Sequence, residues 1–359
     1  MKNCYVFLFS TLFSLSIYAQ QSISVQHQPA AIFKEKGEHE QHLNFDFRIN
    51  NLSSDTLTLT KISCSAYTVN DELLYQYFLD NNGTAPSIEI IPKRVFPGKS
   101  THLLFNPFSD FESTLNLTRL NYEFIFTDPS DHEFVIKDTI HPLFYDQHLN
   151  FSAPVKGRFL VYDGHDFYSH HRRFDYEFPF IKELGLSSNF MRYAYDFVLL
   201  NDANKYYETD GKKDEDYKGF GQPVFAVCDG KVIYATGEHE DDKNFDVKKL
   251  LQNPLELYGN CIAIEHPNGS VSIYGHLKKN SISVKVGDVV KSKQEIARIG
   301  VSGSSFFPHL HFEVRTSIKN DAEGLPSFFS NLKQIKGKVV VPVKSGLAET
   351  GMIYLSPFQ

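Results

Sequence analysis

The segment Pro308-His309-Leu310-His311-Phe312-Glu313-Val314 carries two imidazoles two residues apart, entered through Gly300-Val301-Ser302-Gly303-Ser304-Ser305. Side chains at i and i+2 of a β-strand share a face, so the spacing predicts that His309 and His311 point the same way. Two imidazoles on a rigid strand, fixed by a proline at its start, can hold a metal and a base side by side. His-x-His alone suits two surface histidines equally well, so the elements that position it decide its meaning.

Those elements are short strands with glycine turns. Upstream lie Gly221-Gln222-Pro223-Val224-Phe225, then Gly230-Lys231-Val232, then Gly259-Asn260-Cys261-Ile262-Ala263-Ile264-Glu265-His266. Next come the Asn268-Gly269 turn and Val271-Ser272-Ile273-Tyr274-Gly275-His276-Leu277, followed by Val286-Gly287-Asp288-Val289-Val290 and Ile296-Ala297-Arg298-Ile299-Gly300. Each Gly or Asn-Gly fits a tight hairpin, and the run predicts a compact, curved antiparallel sheet with Tyr274 and His276 on one strand face. Glu238 to Tyr258 reads as an insertion with a short helix around Val247 to Leu251, and Thr209 to Gly219 as an exposed loop. Lys338-Val339-Val340-Val341 is a further strand that packs back on this half.

Residues from about 20 to 150 are strand-like throughout. His42 to Ile49, Leu57 to Thr60, Ser87 to Ile91, His102 to Phe105 and Tyr122 to Phe126 alternate apolar and polar residues between Asn, Asp, Gly and Pro turns. This predicts an immunoglobulin-like β-sandwich at 20–150, followed by a second all-β domain at 151–359, tail included. Met1 to Ala19 has one lysine, an apolar run and a small residue before the cut, which predicts a secretory signal peptide and a secreted or periplasmic chain. No other stretch is long and apolar enough to cross a bilayer. A net charge of −7 argues against nucleic acid as a partner. Cys64, Cys228 and Cys261 remain in the mature chain; a Cys228–Cys261 bridge is permitted, and buried small hydrophobes are the expectation.

The ordered phrases from Gln222 to Val314, ending in Tyr-Gly-His-Leu and Pro-His-Leu-His-Phe, resemble the lysostaphin-type zinc endopeptidases of cell-wall metabolism. The resemblance implies an antiparallel β-sheet with an open groove and hydrolysis of peptide bonds in peptidoglycan stems or cross-bridges. By that match His311 is a zinc ligand, while His309 and His276 are the catalytic histidines. Two ligands remain, a His and an Asp usually joined as His-x-x-x-Asp on one strand.

Here the sequence departs from the family pattern. His171-Arg172-Arg173-Phe174-Asp175 has the spacing but lies far upstream. Arg192-Tyr193-Ala194-Tyr195-Asp196 has the neighbourhood, with Arg192 where the histidine belongs and on the strand face of Asp196. A guanidinium cannot ligate and repels a metal. The reading that follows is one zinc per chain held by His171, or alternatively His170, with Asp196 and His311, and water in the fourth position. His309 is then the general base, and His276 stabilises the oxyanion or relays the proton. Two other readings stay open. One is a degenerate member that binds peptidoglycan or regulates a partner hydrolase, suggested by Arg192; the other is a lipoyl-carrier-like hairpin domain, which lacks the expected lysine.

Overall fold

The computed structural model describes residues 22–81 and 87–356, so the expected signal peptide at 1–19 lies outside the described residues. Nearly all regular structure is β, and the α-helix found among the described residues is the short Pro179–Glu183. In the N-terminal half, Leu57–Tyr67 buries Leu57, Leu59, Ile62, Cys64 and Ala66. The alternation slips by one residue between Leu59 and Ile62, where the pairing with Arg119–Thr127 carries a bulge. These two strands centre a five-stranded sheet; Ile23–Gln28, Asp46–Asn51 and Ser100–Phe105 form a three-stranded one. Their buried faces share one core, in which the Phe47 ring lies 4.8 Å from both Tyr122 and Phe124. Ser87 to Ile91 is no strand: Ile88–Ile90 forms a 3-10 turn, which buries Ile88 and Ile91 three residues apart.

The second half is built on an antiparallel sheet whose order is set by hairpins and one return of the chain terminus. Gly230–Thr236, Cys261–Glu265, Val271–Gly275, Leu310–Arg315, Tyr195–Leu199, Gly157–Asp163 and Ile353–Ser356 are successive neighbours. One face packs Ile262, Ile264, Tyr274, Leu310, Phe312, Phe197 and Tyr195 into a core. The other face covers a smaller cluster that includes Ala263, Ile273, Phe190 and Leu255. The tail strand Val339–Pro342 joins this same sheet through Lys333–Lys336. Val247–Leu251 is the expected short helix, of 3-10 type. Cys64, Cys228 and Cys261 are all free.

Register carries the functional consequence. Asp163 pairs with Asp196, Asp196 with His311, and His311 with Gly275, so four adjacent strands bring these positions into one transverse row. Cross-strand neighbours have Cβ atoms roughly 5 Å apart, within side-chain reach of one ligand. Beside the row, Gly259 and Gly303 pack backbone to backbone at φ +59° and +73°. A Cβ on either would lie 2.3 Å from the other's backbone nitrogen. Gly303→Ala therefore combines a left-handed alanine with a clash against fixed backbone. It should cost at least about 1–3 kcal/mol, seen as a clear fall in Tm on thermal unfolding; an unchanged Tm would contradict this packing.

Candidate metal centre

His311 lies on the face of Leu310–Arg315 opposite the Leu310 and Phe312 core side, and His309 precedes the strand on the same side. The period-2 argument thus brings both rings to one place, with Asp196 as the third party. Asp196 Oδ1 lies 3.2 Å from His311 Nδ1, 3.5 Å from His309 Nε2 and 3.5 Å from His171 Nε2. The His171 and His311 ring centres are 4.9 Å apart. All four residues are at least nine-tenths buried.

His171 comes from the irregular segment between Gly157–Asp163 and Pro179–Glu183, not from a strand. Of the two adjacent histidines, His171 is buried and turned to Asp196, whereas the His170 side chain is 69% exposed and paired with Asp163. Asp163 Oδ2 also stands 3.4 Å from His171 Nδ1, the ring nitrogen turned away from Asp196. Asp163, His170, His171 and Asp196 each offer a ligand atom within 4.8 Å of the others. Asp163 Oδ2 is shared between His170 and His171.

Arg192 is a correction. It does not share a strand face with Asp196, because the strand begins at Tyr195 and Arg192 lies in the preceding turn. Its guanidinium is fully buried and donates from Nη1 to Asp46 Oδ2 at 2.6 Å, in the N-terminal half. The cation expected beside the ligands is thereby neutralised by a carboxylate of its own. Tyr274 and His276 are also not on one face. Tyr274 is in the core with its hydroxyl accepting from Val227 N–H, and the strand ends at Gly275. His276 takes φ +58°, which breaks the alternation and turns the ring to the His309 side, 4.8 Å between centres.

Carbonyl acceptors fix two tautomers. His309 Nδ1–H donates to Phe307 O at 2.8 Å and His276 Nδ1–H to Ser302 O at 2.8 Å. A carbonyl accepts only, so each ring carries a proton on Nδ1, and Nε2 is the nitrogen left free when the ring is neutral. Burial pushes the His171 imidazole down to about 4, leaving it neutral. Burial, then His309 and His311, hold His276 well below the usual histidine range. Burial alone would raise the Asp196 carboxyl, but the imidazoles of His171, His309 and His311 hold it well below the usual carboxylate range.

Sequence reasoning passed over the residues behind His311. Its Nε2 stands 3.4 Å from Glu313 Oε2, and Glu313 Oε1 accepts from Tyr258 Oη–H at 3.0 Å and from Arg315 Nε–H. The signal was present: Glu313 and Arg315 continue the His309, His311 period along one strand face. Burial would raise the Glu313 carboxyl, yet Arg315 and His311 lower it, so it is ionised. A carboxylate behind one imidazole nitrogen fixes the tautomer that offers the other nitrogen to a metal. Two imidazole nitrogens and an ionised carboxylate, buried and backed by Asp163 and Glu313, are a donor set that fits zinc. The other histidines are structural or exposed; His266, for example, bonds Asp229 O and Ser272 Oγ.

His171, Asp196, His276, His309 and His311 border a cleft of about 640 Å³ whose walls include Tyr162, Met191, Leu257, Phe306 and Phe307. Two metal-binding predictions follow from this geometry. Glu313→Gln should weaken zinc binding by about 10–100-fold in a chelator competition, and unchanged affinity would remove its backing role. For His311, burial favours the neutral ring, but hydrogen bonds to Asp196 and Glu313 outweigh it and raise the imidazole to about 9. A proton then competes for Nδ1 below that pH, so zinc affinity should rise from pH 6 toward 9, with proton release in calorimetry across buffers. A pH-independent affinity would exclude a protonated His311.

Comparison with known proteins gives a consistent picture. The family model described as Peptidase family M23 matches residues 215–324, a span that holds His276, His309 and His311 but neither His171 nor Asp196. The chain is 36% identical over 95 residues to Lipoprotein NlpD of Yersinia enterocolitica, covering 26% of this chain and 78% of that protein. It is 33% identical over 117 residues to Murein hydrolase activator NlpD of Escherichia coli (strain K12), covering 31% of this chain and 26% of that protein. The catalytic domain of the antimicrobial peptidase lysostaphin from Staphylococcus simulans is 26% identical, covering 33% of this chain and 81% of that one, with a TM-score of 0.22. Several curated relatives are much longer proteins, of which the chain spans 30% or less.

Proposed function

The chain belongs to peptidase family M23, and from that premise we propose that it is an exported zinc metalloendopeptidase hydrolysing peptide bonds in peptidoglycan stems or cross-bridges. The observation that carries this reading is the convergence of three imidazoles on Asp196 Oδ1 within 3.5 Å. His171, Asp196 and His311 would hold one zinc ion. When bound, zinc supplies Lewis acidity that polarises a carbonyl and acidifies water.

The protein's own residues do the rest. His309, its Nδ1 held by the Phe307 carbonyl, would accept the proton of the attacking water at Nε2 when neutral. His276, its ring centre 4.8 Å from that of His309, would relay the proton taken from the water on to the leaving amine. The cleft walls of Tyr162, Leu257 and Phe307 exclude water from one side of an extended peptide. In this reading residues 1–19 are a cleaved signal peptide that takes the chain to the periplasm or outside. Residues 20–150 are a β-sandwich domain, and 151–359 the peptidase domain with its tail. Among the described residues, no helix is long and apolar enough to cross a membrane.

A second reading has its own support: a relative is named as a murein hydrolase activator, so the domain could bind peptidoglycan or stimulate a partner hydrolase without cutting. One experiment separates the two. Purified chain is incubated with peptidoglycan fragments, with and without a chelator, and new amino termini are identified by mass spectrometry. The enzyme reading expects chelator-sensitive cleavage. His309→Ala should retain one zinc and lose at least about 100-fold in turnover, while His311→Ala should lose the metal. Stimulation of a partner hydrolase by a chain that releases no peptide of its own establishes the second reading instead.

A further inference from the structure

His171 is the one ligand not held by a strand ladder. Its neighbours are fixed instead from the N-terminal half of the chain. Arg172, fully buried, donates from Nε to Asn44 Oδ1 at 2.9 Å, from Nη2 to Phe45 O at 2.6 Å and from Nη1 to Asp46 Oδ1. Arg192, four residues before Asp196, takes the second oxygen of the same carboxylate. Asn189 Nδ2 closes the loop between the two flanks by donating to the carbonyls of His171 at 3.0 Å and Arg172 at 3.1 Å. Asn44, Asp46, Arg172, Asn189 and Arg192 are all at most 2% exposed.

We infer that Asp46, on a strand of the N-terminal half, is a positioning residue for His171, so that the metal site is completed by both halves of the chain. The inference rests on the reading of His171 as a zinc ligand. Two guanidinium groups converge on one buried carboxylate, and both forks lose their shared acceptor if it is neutralised. Buried cations left short of a partner are costly, so the segments move until water reaches them. Asp196 and His311 stay where the antiparallel ladder holds them. The His171 segment has no ladder among its bonds, and its ring is the part that moves. Glu323 also interacts with Arg192 through its charge, and no bond described joins it to Arg172.

The test uses the full chain in four forms: wild type, Asp46→Asn, Arg172→Met and Phe47→Leu. Arg172→Met leaves Asp46 paired one-to-one with Arg192, and so covers the case in which Asp46→Asn does not fold. Phe47→Leu loosens the same N-terminal core without touching either arginine, and separates lost stability from lost positioning. Zinc affinity is read by chelator competition, and reactivity of His171 in the metal-free chain by diethyl pyrocarbonate labelling and peptide mass spectrometry. All are measured well below the lowest Tm. The expected result is a loss of about 10–100-fold in zinc affinity and at least tenfold faster His171 labelling in Asp46→Asn and Arg172→Met. Phe47→Leu should lower Tm and leave both readouts within twofold of wild type. Wild-type affinity and wild-type protection of His171 in the two network variants would overturn the inference. If wild type takes up no zinc, the zinc reading fails by itself, and the labelling alone still decides whether Asp46 positions His171.

Discussion

One buried carboxylate oxygen, Asp196 Oδ1, faces three imidazole nitrogens, and the surrounding architecture keeps that crowd together. An ionised carboxylate out of water is tolerated only with charged or strongly bonding partners. The partners here are aimed from outside. Asp163 stands behind His171, Glu313 behind His311, and carbonyls of Phe307 and Ser302 behind His309 and His276. The outer nitrogens of His309 and His276 are hydrogen-bonded to carbonyls, while those of His171 and His311 each face a carboxylate at 3.4 Å.

Much of this was legible in the sequence because it depends on periods. The His309, His311 pair follows from strand alternation, and the glycine turns predicted a hairpin sheet. The fold is all β as expected, with the tail strand returning to the second sheet. What failed was whatever depended on departures from a period. His276 leaves the strand at a left-handed φ, so its alternation with Tyr274 does not hold. Ser87 to Ile91 has apolar residues that suit a strand but adopts the i, i+3 burial of a 3-10 turn. Glu313 was legible by the very argument used for His309 and His311, and the inventory stopped one step too soon.

Long-range pairing was the other blind spot. Nothing local shows that Arg192 turns away from Asp196, since its acceptor lies 146 residues away in sequence. The usual His-x-x-x-Asp arrangement needs one unbroken strand. Here the chain is still in a turn at residues 191–193, so the position four before Asp196 faces the other half of the molecule. In the proposed zinc site the ligand role passes to a histidine delivered from elsewhere, and His171 Nε2 lies 3.5 Å from Asp196 Oδ1. On that proposal, a substitution that looks disabling in a one-dimensional reading of motifs is compensated in three dimensions by a loop.

The Asp46 network also bears on why charge, rather than apolar packing, joins the two halves at this place. Buried ion pairs are poor sources of stability, because desolvation of each group offsets most of the attraction. Their advantage is directional. A guanidinium fork bonds a carboxylate only within a narrow range of distance and plane, whereas an apolar contact tolerates sliding. A metal ligand misplaced by about 1 Å is a ligand lost, since zinc–nitrogen bonds are near 2.0–2.1 Å. For a segment without a strand ladder, a fork bonded to Asn44, Phe45 and Asp46 would be the means by which neighbouring His171, if it is the ligand proposed, is held to that tolerance.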